Sequence, residues 1–147
     1  RVIRALEVHN STGRSPSDFA RRSGPMPATF VLGLTMDRRE LYRRIDERVD
    51  GMVADGLEDE VRLLAAMGLP MGQGPLASPG YVEMGLYLKG EISLPEAVQR
   101  TKFRTHRLVR RQYTWFKPGD NRIKWFDVSS ESVAEDVLAE VRRWLSD

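Results

Sequence analysis

The chain contains no cysteine. Disulfides, thiolate zinc sites and cysteine nucleophiles are therefore excluded from these residues. Histidine is nearly as scarce: only His9 and His106 occur, too few for a metal site built on imidazoles. No apolar run approaches the ~18 residues that a membrane-spanning helix needs. No signal-peptide pattern is present either, so a cytoplasmic location and no membrane partner are expected. A Gly-rich phosphate loop, a catalytic triad and a cluster of metal ligands are all missing. One further absence is local. Between Glu96 and Asp120 there is no acidic residue.

The 147 residues are 41% hydrophobic and 30% charged, a globular composition long enough for one domain with a sizeable core. The net charge of +2 hides a segregation. Acids crowd Asp37 to Glu60 and Asp127 to Asp147, while the acid-free gap holds Arg100, Lys102, Arg104, Arg107, Arg110, Arg111 and Lys117. Such a distribution says more about partners than the sum does. The chain opens on Arg1, inside what reads as a helix, so upstream residues are expected.

Periodicity and punctuation give the elements. Val2 to Thr12 reads as a helix stopped by Gly13. Ser15-Pro16 begins a short turn to Phe19, and Pro25 and Pro27 mark a linker. Thr29 to Leu34 is an apolar run suited to a strand buried on both faces. Asp37 with Glu40 forms a capping-box pattern opening a helix to about Asp55. After Gly56, Leu57 to Met67 reads as another helix, closed by Gly68. Pro70 to Pro79 is a loop, and Tyr81 to Lys89 a short helix. Ser93 with Glu96 is a second capping-box pattern, opening a long basic helix to about Phe116. Pro118 to Asn121 is a turn, Ile123 to Val128 a strand, and Ser130 the cap of a final amphipathic helix to Leu145. Two short strands among many helices would complete a parallel sheet begun upstream.

On the helix from Ser93, Leu94, Ala97, Val98, Thr101, Thr105, Leu108, Val109, Trp115 and Phe116 share one broad arc, the expected core face. Gln112 lies at its centre, either bonded in the core or facing a channel. Tyr113 and His106 point off this arc, His106 towards solvent or RNA. Beside it run Arg100, Arg104, Arg107 and Arg111, a ladder roughly 16 Å long at 1.5 Å per residue. Like charges at this spacing repel by a few tenths of a kcal/mol per pair. With no acid in the helix to relieve them, a nucleic-acid backbone is one solution. A solvated face, or pairing with acids of other helices, is the other. The helix from Asp37 has Leu41, Ile45, Val49 and Met52 on its apolar side and Arg43, Asp46, Glu47 and Asp50 on the solvated side. Arg44 and Arg48, four apart, sit at the boundary. A phosphate or diphosphate suits their fork geometry. Stems lying on the core with heads in water, or pairing with Asp55 and Glu47, would suit it too.

Three stretches in order resemble the tRNA dimethylallyltransferase family. Arg1-Val2-Ile3-Arg4-Ala5-Leu6-Glu7-Val8 is similar to its Arg-x-x-Arg-Ala-Leu-Glu-Val helix. Gly33 to Arg38, Leu41 to Asp50 and Gly56 to Val61 are similar to its next segment. Gly90-Glu91-Ile92-Ser93 with Arg107 to Lys117 is similar to its closing Arg-Gln-x-Thr-Trp-Phe motif. The resemblance covers nearly the whole chain.

The resemblance implies an α/β fold, the mostly helical C-terminal half of a P-loop NTPase-like, nucleotide-binding, parallel-sheet core. Residues 1–27 would be the tail of a helical tRNA-binding insert and residues 28–147 the half-core. It implies transfer of a dimethylallyl group from dimethylallyl diphosphate to the exocyclic amine of a flipped adenine beside the tRNA anticodon, assisted by Mg2+. The phosphate-binding loop, the Asp general base and the metal ligands would lie upstream, so this chain alone is expected to be inactive, and no catalytic or metal residue is expected in it. Arg44 and Arg48 match diphosphate-holding arginines. Arg1, Arg4, Gly80 and Tyr81 match tRNA contacts, and the ladder of Arg100, Arg104, Arg107 and Arg111 is expected on the anticodon arm. A monomer is expected. Pro79, Val82 and Lys117 depart from the family pattern, Lys117 losing bidentate geometry. Outside this reading stand an isopentenyltransferase acting on free adenine nucleotides and a non-catalytic helical RNA-binding module.

Overall fold

A computed structural model describes residues 2–15 and 28–146, with side chains from Ala5 onward. Helix α1 (Val2–Thr12) is followed by strand β1 (Val31–Thr35). Helices α2 (Arg38–Ala54) and α3 (Leu57–Ala66) come next, then a 3-10 turn (Gly74–Ala77). Helices α4 (Tyr81–Leu88) and α5 (Leu94–Trp115), strand β2 (Ile123–Asp127) and helix α6 (Val133–Ser146) complete the order. The turn expected at Pro16 to Phe19 and the linker at Pro25 and Pro27 lie outside the described residues.

Local chemistry explains the boundaries. The Asp37 carboxylate accepts the amides of Arg39 and Glu40 at 2.9 and 3.1 Å, satisfying two donors at the start of α2. Ser93 Oγ accepts the Glu96 amide at the start of α5. Only half of each expected capping box forms, because both glutamates are drawn to arginines. Glu40 accepts from Arg43 and Arg44 and Glu96 from Arg100. Gly56, at φ +102°, turns the chain between α2 and α3 in a conformation that costs other residues strain. Helix α6 starts at Val133, with Ser132 rather than Ser130 at its entrance: the Ser132 carbonyl accepts the Asp136 amide at 2.9 Å.

The core lies where α2, α3, α4 and α5 meet, around Val49, Leu57, Val61, Met84 and Ala97. Full burial of a side chain such as Val61 or Met84 is worth about 1.5–3 kcal/mol. Beside this helical layer, β1 and β2 pair in parallel, Val31 opposite Ile123 through Thr35 opposite Asp127. The parallel geometry expected from the sequence is present. Burial of β1 on both faces is not: among the described residues only Gly33 of the strand is buried, and Leu34 is 62% exposed. Tyr113 of α5 reaches the strand at Thr35, but the side chains of Val31, Leu32 and Leu34 remain exposed. The core face expected along α5 is likewise realised only in its first half. Ala97 and Thr101 are buried, whereas Leu108, Trp115 and Phe116 are exposed where the helix runs past its neighbours.

Candidate nucleic-acid interface

The basic strip of α5 is not uniform. Arg100 bonds Glu96 one turn back at 2.7 Å, so an acid within the helix does relieve the first rung, contrary to expectation. Arg104 reaches across to the buried Glu83 of α4 at 2.7 Å, and its second arm donates to the Ala77 carbonyl at 3.2 Å. Arg107 and Arg110 lie over the exposed Phe103 ring, 5.2 and 5.8 Å from its centroid. Among the described residues, no carboxylate forms an ion pair with Arg107, Arg110 or Arg111. Arg104, Arg107 and Arg111 converge with Ala77, Pro79 and Leu108 on a recess of about 320 Å³. An open recess lined by three guanidiniums is matched to phosphate oxygens.

The wall opposite the strip is the end of the Gly/Pro-rich loop. Gly80 is buried at φ +101° and donates its amide to Glu83 Oε2 at 2.9 Å. Tyr81 is half-buried, and its hydroxyl donates to Glu60 at 2.6 Å. That bond to a carboxylate raises the phenol above its ordinary pKa, with burial and the Glu60 charge adding to it. Glu83 joins loop and strip, and the sequence pattern did not single it out. Its only signal there is an acid at a position facing the core of a short apolar helix.

On α2, Arg44 Nε bonds Glu40 at 2.9 Å and Arg48 is exposed, with no ion-pair partner among the described residues. Arg43 holds both Glu40 and Glu47. Hydrogen bonds from Arg43 and then Arg44 hold the Glu40 carboxyl well below its usual range, at about 2. The alternative partners considered for Arg44 and Arg48, Asp55 and Glu47, are not used. The side expected to be solvated is partly docked on α5. Asp50 pairs with Lys102 at 2.7 Å, and Asp46 Oδ1 lies 2.9 Å from His106 Nε2 without the alignment of a hydrogen bond. The His106 ring stacks on Tyr42 at 4.1 Å, so His106 sits between two helices rather than facing solvent or RNA.

A second recess, about 410 Å³, lies between the strands and the end of α5. Its lining includes Val31, Leu34, Gln112, Tyr113, Phe116 and Trp125. Gln112 is exposed there, which favours a channel-facing amide over a core-bonded one. Tyr113 bonds Thr35 at 2.7 Å and stacks on Trp125, whose buried Nε1 has no acceptor among the described residues. No charged group lines this recess, so it suits an apolar group and not a diphosphate. Among the described residues no group of three or more His, Asp or Glu side chains is placed to hold a metal ion. Arg1 and the side chain of Arg4 lie outside the described residues.

A helical layer beside a parallel strand pair, with a guanidinium-lined recess on one helix, defines a mostly helical α/β protein with a cationic recess on its surface. The IPP transferase family model matches residues 1–119, and the chain belongs to that family. It is 43% identical over 145 residues to a tRNA dimethylallyltransferase of Thermomicrobium roseum, covering 99% of this chain and 44% of the relative. It is 40% identical over 147 residues to one of Dehalococcoides mccartyi, covering 100% of this chain and 45% of the relative. The fold is similar to the tRNA delta(2)-isopentenylpyrophosphate transferase of Staphylococcus epidermidis, at a TM-score of 0.71 and 29% identity, over 97% of this chain and 48% of that one. It is also similar to the full-length tRNA isopentenylpyrophosphate transferase of Bacillus halodurans, at a TM-score of 0.69 and 35% identity, over 99% and 44% of the two chains. The chain thus spans less than half the length of these relatives.

Proposed function

We propose that this chain is the part of a tRNA dimethylallyltransferase that holds the tRNA anticodon arm and the diphosphate of dimethylallyl diphosphate. In that reaction the exocyclic amine of adenine attacks the allylic carbon, the carbon–oxygen bond breaks, diphosphate leaves and the amine loses a proton. Negative charge grows on the leaving group, and guanidiniums aimed at it lower the barrier. Arg44 and Arg48 take that role. Arg100, Arg104, Arg107 and Arg111, with Arg1, Arg4, Gly80 and Tyr81, make the tRNA surface. Proton removal, the P-loop and Mg2+ coordination belong to residues other than these, in a protein acting as a monomer.

The observation that carries this reading is the recess where Arg107 and Arg111 have no ion pair among the described residues, in a chain whose relatives are named tRNA dimethylallyltransferases. Backbone contacts carry affinity with little sequence information, and each cation that neutralises a phosphate releases counterions. Arg107→Ala with Arg111→Ala should flatten the log–log salt dependence of tRNA binding by roughly 1.4 to 1.8 units. Titrations of the intact protein with unmodified tRNA at several salt concentrations measure it. A slope equal to that of the unsubstituted protein would reject the reading.

A further inference from the structure

Glu83 is 3% exposed, and each of its oxygens is used by a different segment. Oε2 accepts the amide of Gly80, where the loop enters α4, and Oε1 accepts Arg104 from α5. Arg104 completes the bridge through its other arm, on the Ala77 carbonyl. Gly80 holds φ +101°, ψ −58°, and its amide would be an orphan at the helix start without the carboxylate. Taking a carboxylate out of water is costly unless it is paired and fully bonded. Here that cost is met by three contacts that share one purpose: they fix where Ala77 to Gly80 stands relative to α5.

We propose that Glu83 and Arg104 form a latch that sets the Ala77–Gly80 loop against Arg107 and Arg111, so that both are positioning residues for RNA-backbone binding. The proposal rests on the tRNA reading above and refines it. Arg104 belongs to the ladder by spacing, yet both its arms are engaged inside the protein, and the planar fork that joins them fixes the guanidinium in place. Arg107 and Arg111 remain for the anion. The loop itself has no charged side chain from Gly72 to Val82. Its displacement would change the fit of the recess without changing the number of cations that meet phosphate.

Glu83→Gln in the intact protein separates the possibilities by sign. Removing a negative charge beside the strip would, by electrostatics alone, tighten RNA binding. The latch requires the opposite, because an amide cannot hold the Gly80 amide and the guanidinium as the carboxylate does. Binding of unmodified tRNA should weaken roughly fivefold to tenfold, about the worth of one net hydrogen bond. The salt slope should stay at the wild-type value. Arg104→Lys is the second variant, checked for folding by its melting temperature. Lysine keeps the charge and would preserve a direct phosphate contact, but it cannot span Glu83 and Ala77 together, so the same weakening is expected. Equal or tighter binding by the folded variants would overturn the latch. So would a slope flattened by about 0.9 in Arg104→Ala, which marks a direct phosphate contact. If Arg107→Ala with Arg111→Ala leaves the slope unmoved, the tRNA reading fails first. If that pair flattens the slope while Glu83→Gln binds normally, the latch alone fails.

Discussion

Arg44 and Arg48 stand one turn apart on α2 and differ in what already holds them. Arg44 is bonded to Glu40, whereas Arg48 has no ion-pair partner among the described residues. Losing a charge-assisted hydrogen bond is worth about 1.5–3 kcal/mol, or roughly 10- to 150-fold. Arg48→Ala in the intact protein should lower kcat/KM for dimethylallyl diphosphate within that range and leave tRNA affinity unchanged. Steady-state kinetics with each substrate varied measure this, and an unaltered kcat/KM for the donor would remove Arg48 from the diphosphate. Glu40 offers a separate check. Its depressed pKa means that the Arg43 and Arg44 bonds are fully in place above its ordinary value of 4.5 and weaken as pH falls towards about 2. In Arg43→Ala, the first of those causes is gone, and the carboxyl should titrate closer to its ordinary value when followed by NMR. Asp120, lowered to about 2 mainly by the Arg122 side chain, should respond the same way to Arg122→Ala.

Within the elements, two helical glycines predict opposite effects. A methyl on Gly85 in α4 would lie 2.8 Å from Met71 Cβ, an atom tied to backbone that cannot swing aside. Gly85→Ala should therefore lower the melting temperature, overpacking costing about 1–3 kcal/mol against a helix gain of at most ~1. Gly51 in α2 has nothing within 4 Å of the same methyl, so Gly51→Ala should raise stability by up to ~1 kcal/mol. Thermal melts of both decide it. The helices and strands themselves were legible, because caps, glycines and apolar spacing act within a few residues. Their exposure was less so. Trp115, Phe116 and β1 carry a core pattern, yet burial depends on what packs on them, and among the described residues they stay largely exposed. His106 and Glu83 were misjudged or missed for a related reason. Their partners Tyr42, Asp46 and Arg104 are distant in sequence, and no local period reports such meetings. The convergence of Arg107 and Arg111 was legible, since the spacing of a helix sets it directly.

Across the whole molecule, charge is sorted rather than balanced. Carboxylates of α2 and α4 pair with Lys102 and Arg104 on the flanks of α5, which leaves Arg107, Arg110 and Arg111 towards its far end without ion pairs among the described residues. The low net charge is thus compatible with a strongly cationic recess, and a test by total charge would miss it.

The pairing of β1 with β2 also sets an order in time. Val31 and Ile123 are partners across about 90 residues. Closing a flexible loop of that length costs about 4 kcal/mol of chain entropy. Of the helices between them, α3 packs on α4 and α4 on α5, each its neighbour in order, so these can fold first and shorten the loop that remains. During synthesis at ~5–20 residues per second, β1 waits roughly 5 to 20 s for its partner to emerge. Through that interval the edge of β1 that β2 will cover presents unpaired backbone groups along Val31-Leu32-Gly33-Leu34-Thr35, the kind of edge that other nascent chains join. Rapid collapse of α2 to α5 against one another brings the two strand positions near before that can happen.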